Sequence, residues 1–146
     1  IVIHAISLPP GRFGGDFVAD LFRNVLDPGA DPYFAGISTL RVSAHFYIRR
    51  GGELIQFVSC DARAWHAGVS CSEDGTLHDY SIGIELEGCD ELPFADVQYD
   101  VLKRLLAELR ARYPICGVVG HADIAPGRKS DPGPCFDWSR LSRNRA

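Results

Sequence analysis

Several features are missing from this sequence, and each absence narrows the range of functions. The 146 residues include no apolar run near the roughly 18 residues that a membrane-spanning helix needs. Acidic residues outnumber basic ones by 19 to 15, so the formal net charge is −4 and there is no basic footprint for nucleic acid. We therefore expect neither a membrane nor a nucleic acid as partner, and a small ligand is favoured.

Methionine is absent as well. The chain opens directly on the apolar run Ile1-Val2-Ile3, which is typical of a buried strand. We expect the natural protein to carry further residues upstream of this point. The residues present contain neither the pattern of an export signal nor an anchor, so they give no indication of secretion.

The sequence also lacks a Cys-x-x-Cys pair. Its cysteines are odd in number and widely spaced, which favours free thiols in a reducing compartment and leaves a disulfide or a metal role open. The five positions are Cys60, Cys71, Cys89, Cys116 and Cys135. Because there is no thiolate-rich ligand set, a structural zinc site fits poorly.

Apolar periodicity predicts strands and helices that alternate along one domain spanning residues 1–146. With 46% apolar residues, a chain of this length can bury a core of its own. The expected strands lie at 1–4, 45–50, 53–58, 81–87 and 116–121, the second and third forming a hairpin around Gly51-Gly52. The expected helices lie at 16–26, at about 95–113 and at 137–142, the first capped by Asp16 and placing Phe17, Leu21, Phe22, Val25 and Leu26 in the core. This mixture predicts an α/β layered fold.

Residues 81–87 alternate strictly between two kinds of side chain. Ile82, Ile84 and Leu86 share one face of the predicted strand, and the other face carries Glu85 and Glu87. A carboxylate that faces a pocket can act as a general base. Two acids on a solvent-facing strand are the alternative.

Two predicted strands, at opposite ends of the chain, finish in a histidine. These are His4 and His121, and Asp131 follows in a turn-rich loop. Three nitrogen or oxygen ligands leave one position of a catalytic zinc open for water. Each residue also has a structural interpretation, since histidines at strand ends are often hydrogen-bonded and Asp-Pro-Gly is a good turn.

The loop at 120–134 combines a histidine, a lysine and a carboxylate with several turn-forming residues. Pro126, Gly127 and Pro132 cannot continue a helix or a central strand, so the loop holds fixed turns. Such turns can direct Lys129 and Asp131 at a common point. A solvated surface lysine is the alternative for Lys129.

Two further segments contain residues suited to recognising a sugar or a carboxylate. They are Arg41-Val42-Ser43-Ala44-His45 and Arg63-Ala64-Trp65-His66-Ala67-Gly68. A core role for Trp65 and structural roles for His45 and His66 are equally open.

Taken together, these motifs resemble those of the AmpD-type N-acetylmuramoyl-L-alanine amidases. The matching segments run in order over nearly the whole chain and comprise 4–11 with 13–15, 41–45, 63–68, 81–88 and 120–134. The resemblance implies one mixed α/β (α+β) domain with a central mixed sheet flanked by helices and a zinc ion in a surface groove.

The resemblance also implies a role for each candidate residue. His4, His121 and Asp131 fall on the positions of the zinc ligands, Glu85 on the catalytic glutamate and Lys129 on the catalytic lysine. For substrate binding we assign four residues, Tyr33, Arg41, Trp65 and His66.

The implied reaction is hydrolysis of the amide between N-acetylmuramic acid, typically in its 1,6-anhydro form, and the L-alanine of the stem peptide. From the resemblance we also expect a cytoplasmic monomer that acts on small muropeptides in peptidoglycan recycling. In the family this process is linked to β-lactamase induction. The alternative is a non-catalytic peptidoglycan-recognition module of the same fold. The complete ligand set favours the enzyme.

Overall fold

A five-stranded sheet forms the centre of the protein in the computed structural model, which describes residues 1–68 and 77–141. Across the sheet the strands lie in the order β3, β2, β4, β1, β5. Their bounds are Val2–Ile6 for β1, Phe46–Ile48 for β2, Leu54–Gln56 for β3, Gly83–Glu87 for β4 and Val119–Gly120 for β5.

The sheet is mixed, as the resemblance implied. β1 pairs in parallel with β4 and β5, and β2 pairs in parallel with β4. Only the hairpin of β2 and β3 is antiparallel among these pairs. Because parallel strands point the same way, the carboxyl ends of β1, β4 and β5 meet at one edge of the sheet, where ligands commonly bind.

In the part of the chain that the structure describes, four short or medium helices accompany the sheet. They are α1 (Phe17–Phe22), α2 (Leu77–Tyr80), α3 (Asp96–Arg112) and α4 (His121–Ile124), with 3-10 turns at Pro32–Gly36 and Trp138–Leu141. The bounds of α3 confirm the helix expected at about 95–113. No helix in residues 1–68 and 77–141 has the length and apolar character of a membrane span.

Both faces of the sheet are covered by apolar side chains. On one side, Leu102 and Leu106 of α3 pack against Ile84 and neighbouring strand residues. On the other side, a second cluster contains Phe22 and Tyr47. The acidic face of β4 is therefore buried rather than solvated, as every residue of this strand is buried.

The first helix is shorter than its apolar pattern predicts. α1 ends at Phe22, and Asn24 takes a left-handed conformation with φ of 61° that turns the chain away. As a result Val25 is 60% exposed, so its prediction as a core residue is wrong, while Leu26 is buried. Asp16 precedes the helix without a side-chain capping bond, and its carboxylate accepts from Arg49 instead.

The last strand is also shorter than expected, which changes the setting of His121. β5 pairs with β1 only through Val119 and Gly120, and His121 is the first residue of α4. The Asp123 carboxylate accepts a hydrogen bond from the Gly120 backbone N–H at 2.7 Å. This local bond favours the helical turn and ends the strand.

The cysteines that the structure describes are free thiols. Cys60, Cys89 and Cys135 are partly buried, and Cys116 is exposed. Cys71 lies outside the described residues.

Candidate metal centre and active site

The site begins within the sheet, where strand register places chemistry-bearing side chains next to one another. His4 of β1 pairs with Glu85 of β4, and Glu85 pairs in turn with Tyr47 of β2. Paired residues of neighbouring strands project from the same face. His4 and Glu85 are thus adjacent although they are far apart in the sequence.

The prediction that the first strand ends at His4 is wrong, because β1 runs on to Ile6 and His4 projects from a face of the sheet in mid-strand. The loop after β5 brings the other candidate ligands to this face. His121 opens α4 directly after β5, which lies beside β1. The backbone N–H of Ala122 donates to the carbonyl oxygen of Asp131 at 2.9 Å, so the end of the loop returns to the start of α4. Gly127 adopts a φ of 74°, a conformation that favours glycine, where the loop turns.

Three donor atoms converge where these elements meet. Nδ1 of His4 lies 3.0 Å from Nδ1 of His121 and 3.1 Å from Oδ2 of Asp131. The distance from His121 Nδ1 to Asp131 Oδ2 is 3.0 Å. These side chains form a group that can hold a metal ion.

A hydrogen bond on the opposite edge of the His121 ring determines which of its two nitrogens carries the proton when the ring is neutral. Nε2 of His121 lies 3.1 Å from the carbonyl oxygen of Ala67 and donates to it, because a carbonyl can only accept. In a neutral imidazole, Nδ1 then keeps its lone pair and faces the Asp131 oxygen. Two acceptors this close attract each other only through a shared cation, so the donor set fits a metal ion.

Protonation of the other two donors also suits metal binding. Burial lowers the pKa of His4, which favours its neutral imidazole form, although the hydrogen bond with Asp131 acts in the opposite direction. Burial raises the pKa of Asp131, but the His121 and His4 rings beside its carboxylate outweigh this and hold that pKa below its ordinary value. Neutral imidazole and ionised carboxylate are the forms that bind metals.

Glu85 is buried beside these donors and is incompletely hydrogen-bonded. Its Oε2 atom has no hydrogen-bond partner among the residues that the structure describes. Burial, followed by the negative charge of Asp131, raises the pKa of Glu85 well above its ordinary value, and Lys129 lowers it in part. A carboxylate with a raised pKa and an unused acceptor atom is suited to take a proton.

The donors and Glu85 line a groove of about 860 Å³. Lys129, the predicted catalytic lysine, also lines it. The apolar part of the groove lining includes Tyr33, Leu40 and Trp65, which are 47%, 46% and 52% exposed. Exposed rings beside a polar centre suit the recognition of a sugar or a peptide.

The predicted substrate-binding residues separate into two groups. Tyr33, Trp65 and His66 line the groove. Within the described residues the groove lining does not include Arg41, whose guanidinium donates to the side-chain oxygen of Asn24 at 3.3 Å. A substrate role for Arg41 stays a prediction without structural support.

Some contributors to the site had no signal in the sequence. The Ala67 carbonyl accepts from His121 and so orients its ring. The guanidinium of Arg128 donates to the same carbonyl at 3.3 Å. Ser81 contacts His66, whose other nitrogen contacts His4. A backbone carbonyl and a lone serine carry no motif, and only the fold reveals their contacts.

Residues 1–134 match the N-acetylmuramoyl-L-alanine amidase family. The chain belongs to this family. A relative from Citrobacter freundii, the 1,6-anhydro-N-acetylmuramyl-L-alanine amidase AmpD, is 54% identical over 144 residues, which cover 97% of this chain and 77% of that protein. The match confirms the predicted resemblance and the prediction of an amidase.

Solved structures agree with this family membership. A crystal structure of a selenomethionine AmpD derivative superposes with a TM-score of 0.91 at 56% identity, covering 96% of this chain and 80% of that one. The AmiD amidase from E. coli, solved with anhydro-N-acetylmuramic acid-L-Ala-D-γ-Glu-L-Lys, has a TM-score of 0.66 at 34% identity and covers 96% and 54%. The amidase fold and the mixed sheet are thereby confirmed.

Proposed function

We propose that this amidase hydrolyses the amide between 1,6-anhydro-N-acetylmuramic acid and the L-alanine of a stem peptide. The observation that carries the proposal is the convergence of His4, His121 and Asp131 beside the buried, incompletely bonded Glu85. Sequence identity with AmpD supports the anhydro sugar as substrate, since that relative is named for this activity. The AmiD complex supports the same class of ligand.

Zinc is the metal that we assign to the three donors. Two imidazole nitrogens and one carboxylate oxygen are a ligand set typical of catalytic zinc. When bound, zinc supplies Lewis-acid polarisation of a carbonyl and lowers the pKa of a coordinated water. The residues that would hold it are His4, His121 and Asp131.

Glu85 is the group that we assign to proton transfer. In this proposal one of its carboxylate oxygens takes a proton from the attacking water and later delivers it to the leaving nitrogen of L-alanine. The direction of the Glu85 pKa shift matches this order of steps, because burial makes the carboxylate a stronger base toward the proton of water. Burial keeps bulk water from competing for that proton.

Lys129 supplies positive charge to the reacting carbonyl. It lines the groove and acts electrostatically on both Glu85 and His4. In this position its ammonium group stabilises the negative charge that develops on the carbonyl oxygen when water adds. Trp65 and Tyr33 are assigned to contacts with the sugar or the peptide.

The decisive test is product release from a defined muropeptide. Purified protein loaded with zinc is incubated with anhydro-N-acetylmuramyl-L-Ala-D-γ-Glu-L-Lys, and free peptide is measured by liquid chromatography with mass spectrometry. We expect release that stops on chelation and returns when zinc is restored. Binding of the muropeptide without release, by protein with one zinc bound, would instead support the non-catalytic recognition module.

Cellular role, location and assembly are part of the same proposal. We place the reaction in muropeptide recycling in the cytoplasm and expect a monomer. Fractionation of cells that produce the full-length protein tests the location, and light scattering after size-exclusion chromatography tests the monomer.

A further inference from the structure

A chain of contacts leads away from the metal-binding donors into the protein. Nε2 of His4, on the ring edge opposite the donors, lies 2.9 Å from Nδ1 of His66. Nε2 of His66 lies 3.1 Å from the hydroxyl oxygen of Ser81. Both histidine rings are buried, with 1% and 9% of their residues' surface exposed, and they meet edge to face at 5.0 Å between centroids.

The direction of each hydrogen bond follows from the chemistry of neutral imidazole, which carries one N–H. Nδ1 of His4 faces His121 and Asp131, so a metal ion held there would take the lone pair of this nitrogen. The proton of His4 is then on Nε2 and is donated to His66 Nδ1. That leaves the proton of His66 on Nε2, which donates to Ser81. Each hydrogen bond in the series His4, His66, Ser81 therefore joins one donor to one acceptor.

We propose that His66 and Ser81 are positioning residues for the metal centre, holding His4 in the tautomer and ring orientation that metal binding requires. The inference rests on the metal site assigned under the proposed function. Residues that accept the outer N–H of a ligating histidine typically contribute ten- to a hundredfold to metal affinity. His66 thereby has a function beyond the substrate contact predicted from its motif.

The sheet is built to accommodate the His66 ring. A Cβ atom at Gly83 of β4 would overlap this ring, so glycine is required there for His66 to pack. His45 packs on His66 at 5.8 Å between centroids, but its own nitrogens bind elsewhere. Its Nδ1 accepts from the Gly83 N–H at 3.0 Å, and its Nε2 donates to the Ala62 carbonyl at 3.0 Å. His45 is therefore a matched control, a buried histidine of the same cluster that bonds to none of the three metal-binding donors among the described residues.

The wild-type protein provides the first test. Nitrogen-15 NMR of the zinc-loaded protein reports which ring nitrogen of each histidine carries the proton. We expect His66 protonated on Nε2 and unprotonated on Nδ1, and His4 protonated on Nε2. A His66 ring protonated on Nδ1 would overturn the inference, and this measurement does not depend on whether any variant folds.

The second test measures zinc affinity by competition with a chromophoric chelator. We expect His66→Leu to weaken binding about ten- to a hundredfold and Ser81→Ala to weaken it less. His66→Asn should restore most of the affinity, because its amide oxygen can accept near the position of Nδ1. His45→Leu should leave the affinity within about threefold, since the ring nitrogens of His45 bond to the backbone of Gly83 and Ala62 and not to a metal-binding donor.

Two results separate this inference from the proposed function. If the wild type binds zinc and His66→Leu binds it equally well, or if His45→Leu weakens binding as much as His66→Leu, the positioning role is wrong and the metal centre stands. If the wild type binds no zinc, the proposed metal centre fails and this inference fails with it.

Discussion

Glu85 and Glu87 lie two positions apart on the same face of β4, and both are buried, with 8% and 3% of their surface exposed. Their surroundings differ. Oε1 of Glu87 accepts from the backbone N–H of Gly14 at 2.5 Å, and Oε2 accepts from that of Arg50 at 2.9 Å. Oε2 of Glu85 has no such partner among the described residues, and Glu85 lines the groove together with the three candidate metal ligands.

The difference separates a structural carboxylate from one that we propose to be reactive on the same strand. Both oxygens of Glu87 are used to tie the end of β4 to two loops, so this side chain stabilises the fold. An unpartnered buried oxygen costs stability, on the order of 1–3 kcal/mol. The fold retains this cost at Glu85, where the proposed proton transfer needs an available acceptor.

The largest expected effect separates the two glutamates by activity. Glu85→Gln should lower kcat by about 10²- to 10⁴-fold, because the amide cannot take a proton from water. Glu87→Gln should leave kcat within a few fold of the wild type at a temperature where it is folded. Both are measured as peptide release under saturating substrate, with zinc content determined for each variant. Equal losses in the two variants would show that the distinction between them is wrong.

Charge near Glu85 provides the next comparison. Lys129→Met should lower kcat about ten- to a hundredfold. This loss is smaller than that expected on removal of a buried oxyanion donor, because Lys129 is solvent-exposed. It should also raise the pKa of Glu85 further, moving the acidic limb of the pH profile of kcat/KM upward. The control is Lys103→Met on the remote helix α3. An unchanged profile and rate for Lys129→Met would contradict the assigned role.

Stability should move in opposite directions in the two variants of the metal-free protein. Glu87→Gln is expected to lower the free energy of unfolding by about 1–3 kcal/mol, because an amide NH₂ replaces one acceptor oxygen. Glu85→Gln is expected to raise it at pH 7, because a neutral amide replaces a carboxylate whose charged form burial disfavours. Urea denaturation with a chelator present measures both.

The gain in Glu85→Gln should depend on pH. Burial raises the pKa of Glu85 in the folded protein, so above the ordinary value of 4.5 the unfolded chain releases a proton that the folded protein keeps. Wild-type stability is therefore lost as pH rises from that value through the raised pKa. The Gln variant has no such titration, so its advantage should shrink as pH is lowered to 4. A gain independent of pH would show that the pKa of Glu85 is not raised.

The smallest effect concerns a groove residue that takes no part in proton transfer. Trp65→Ala should raise KM about two- to tenfold with kcat little changed, as expected for the loss of one stacking contact. Full Michaelis profiles should then show a raised KM for Trp65→Ala and a lowered kcat for Glu85→Gln. A loss of kcat alone in Trp65→Ala would contradict its assignment to binding.

Much of the fold was predictable because its signals are local. Strict alternation predicted β4, the spacing of leucines predicted α3, and two glycines between apolar runs predicted the hairpin. The failures occurred where a local preference was overridden, as at Asn24, which turns the chain and leaves Val25 exposed. Residue chemistry and the family resemblance together indicated the three donors that the structure brings together and the residues that we propose to be catalytic.

The sequence by itself determined which side chains are available: two histidines and a carboxylate able to bind a metal, a lysine, and two acids on one strand face. Only the tertiary structure decided that His4 meets His121, 117 residues away, and that Glu85 rather than Glu87 faces the groove. The physical reason is that periodicity records only which face of an element a residue occupies. Strand pairing and loop packing, which join distant segments, determine what lies opposite that face, including the contact of His66 with His4.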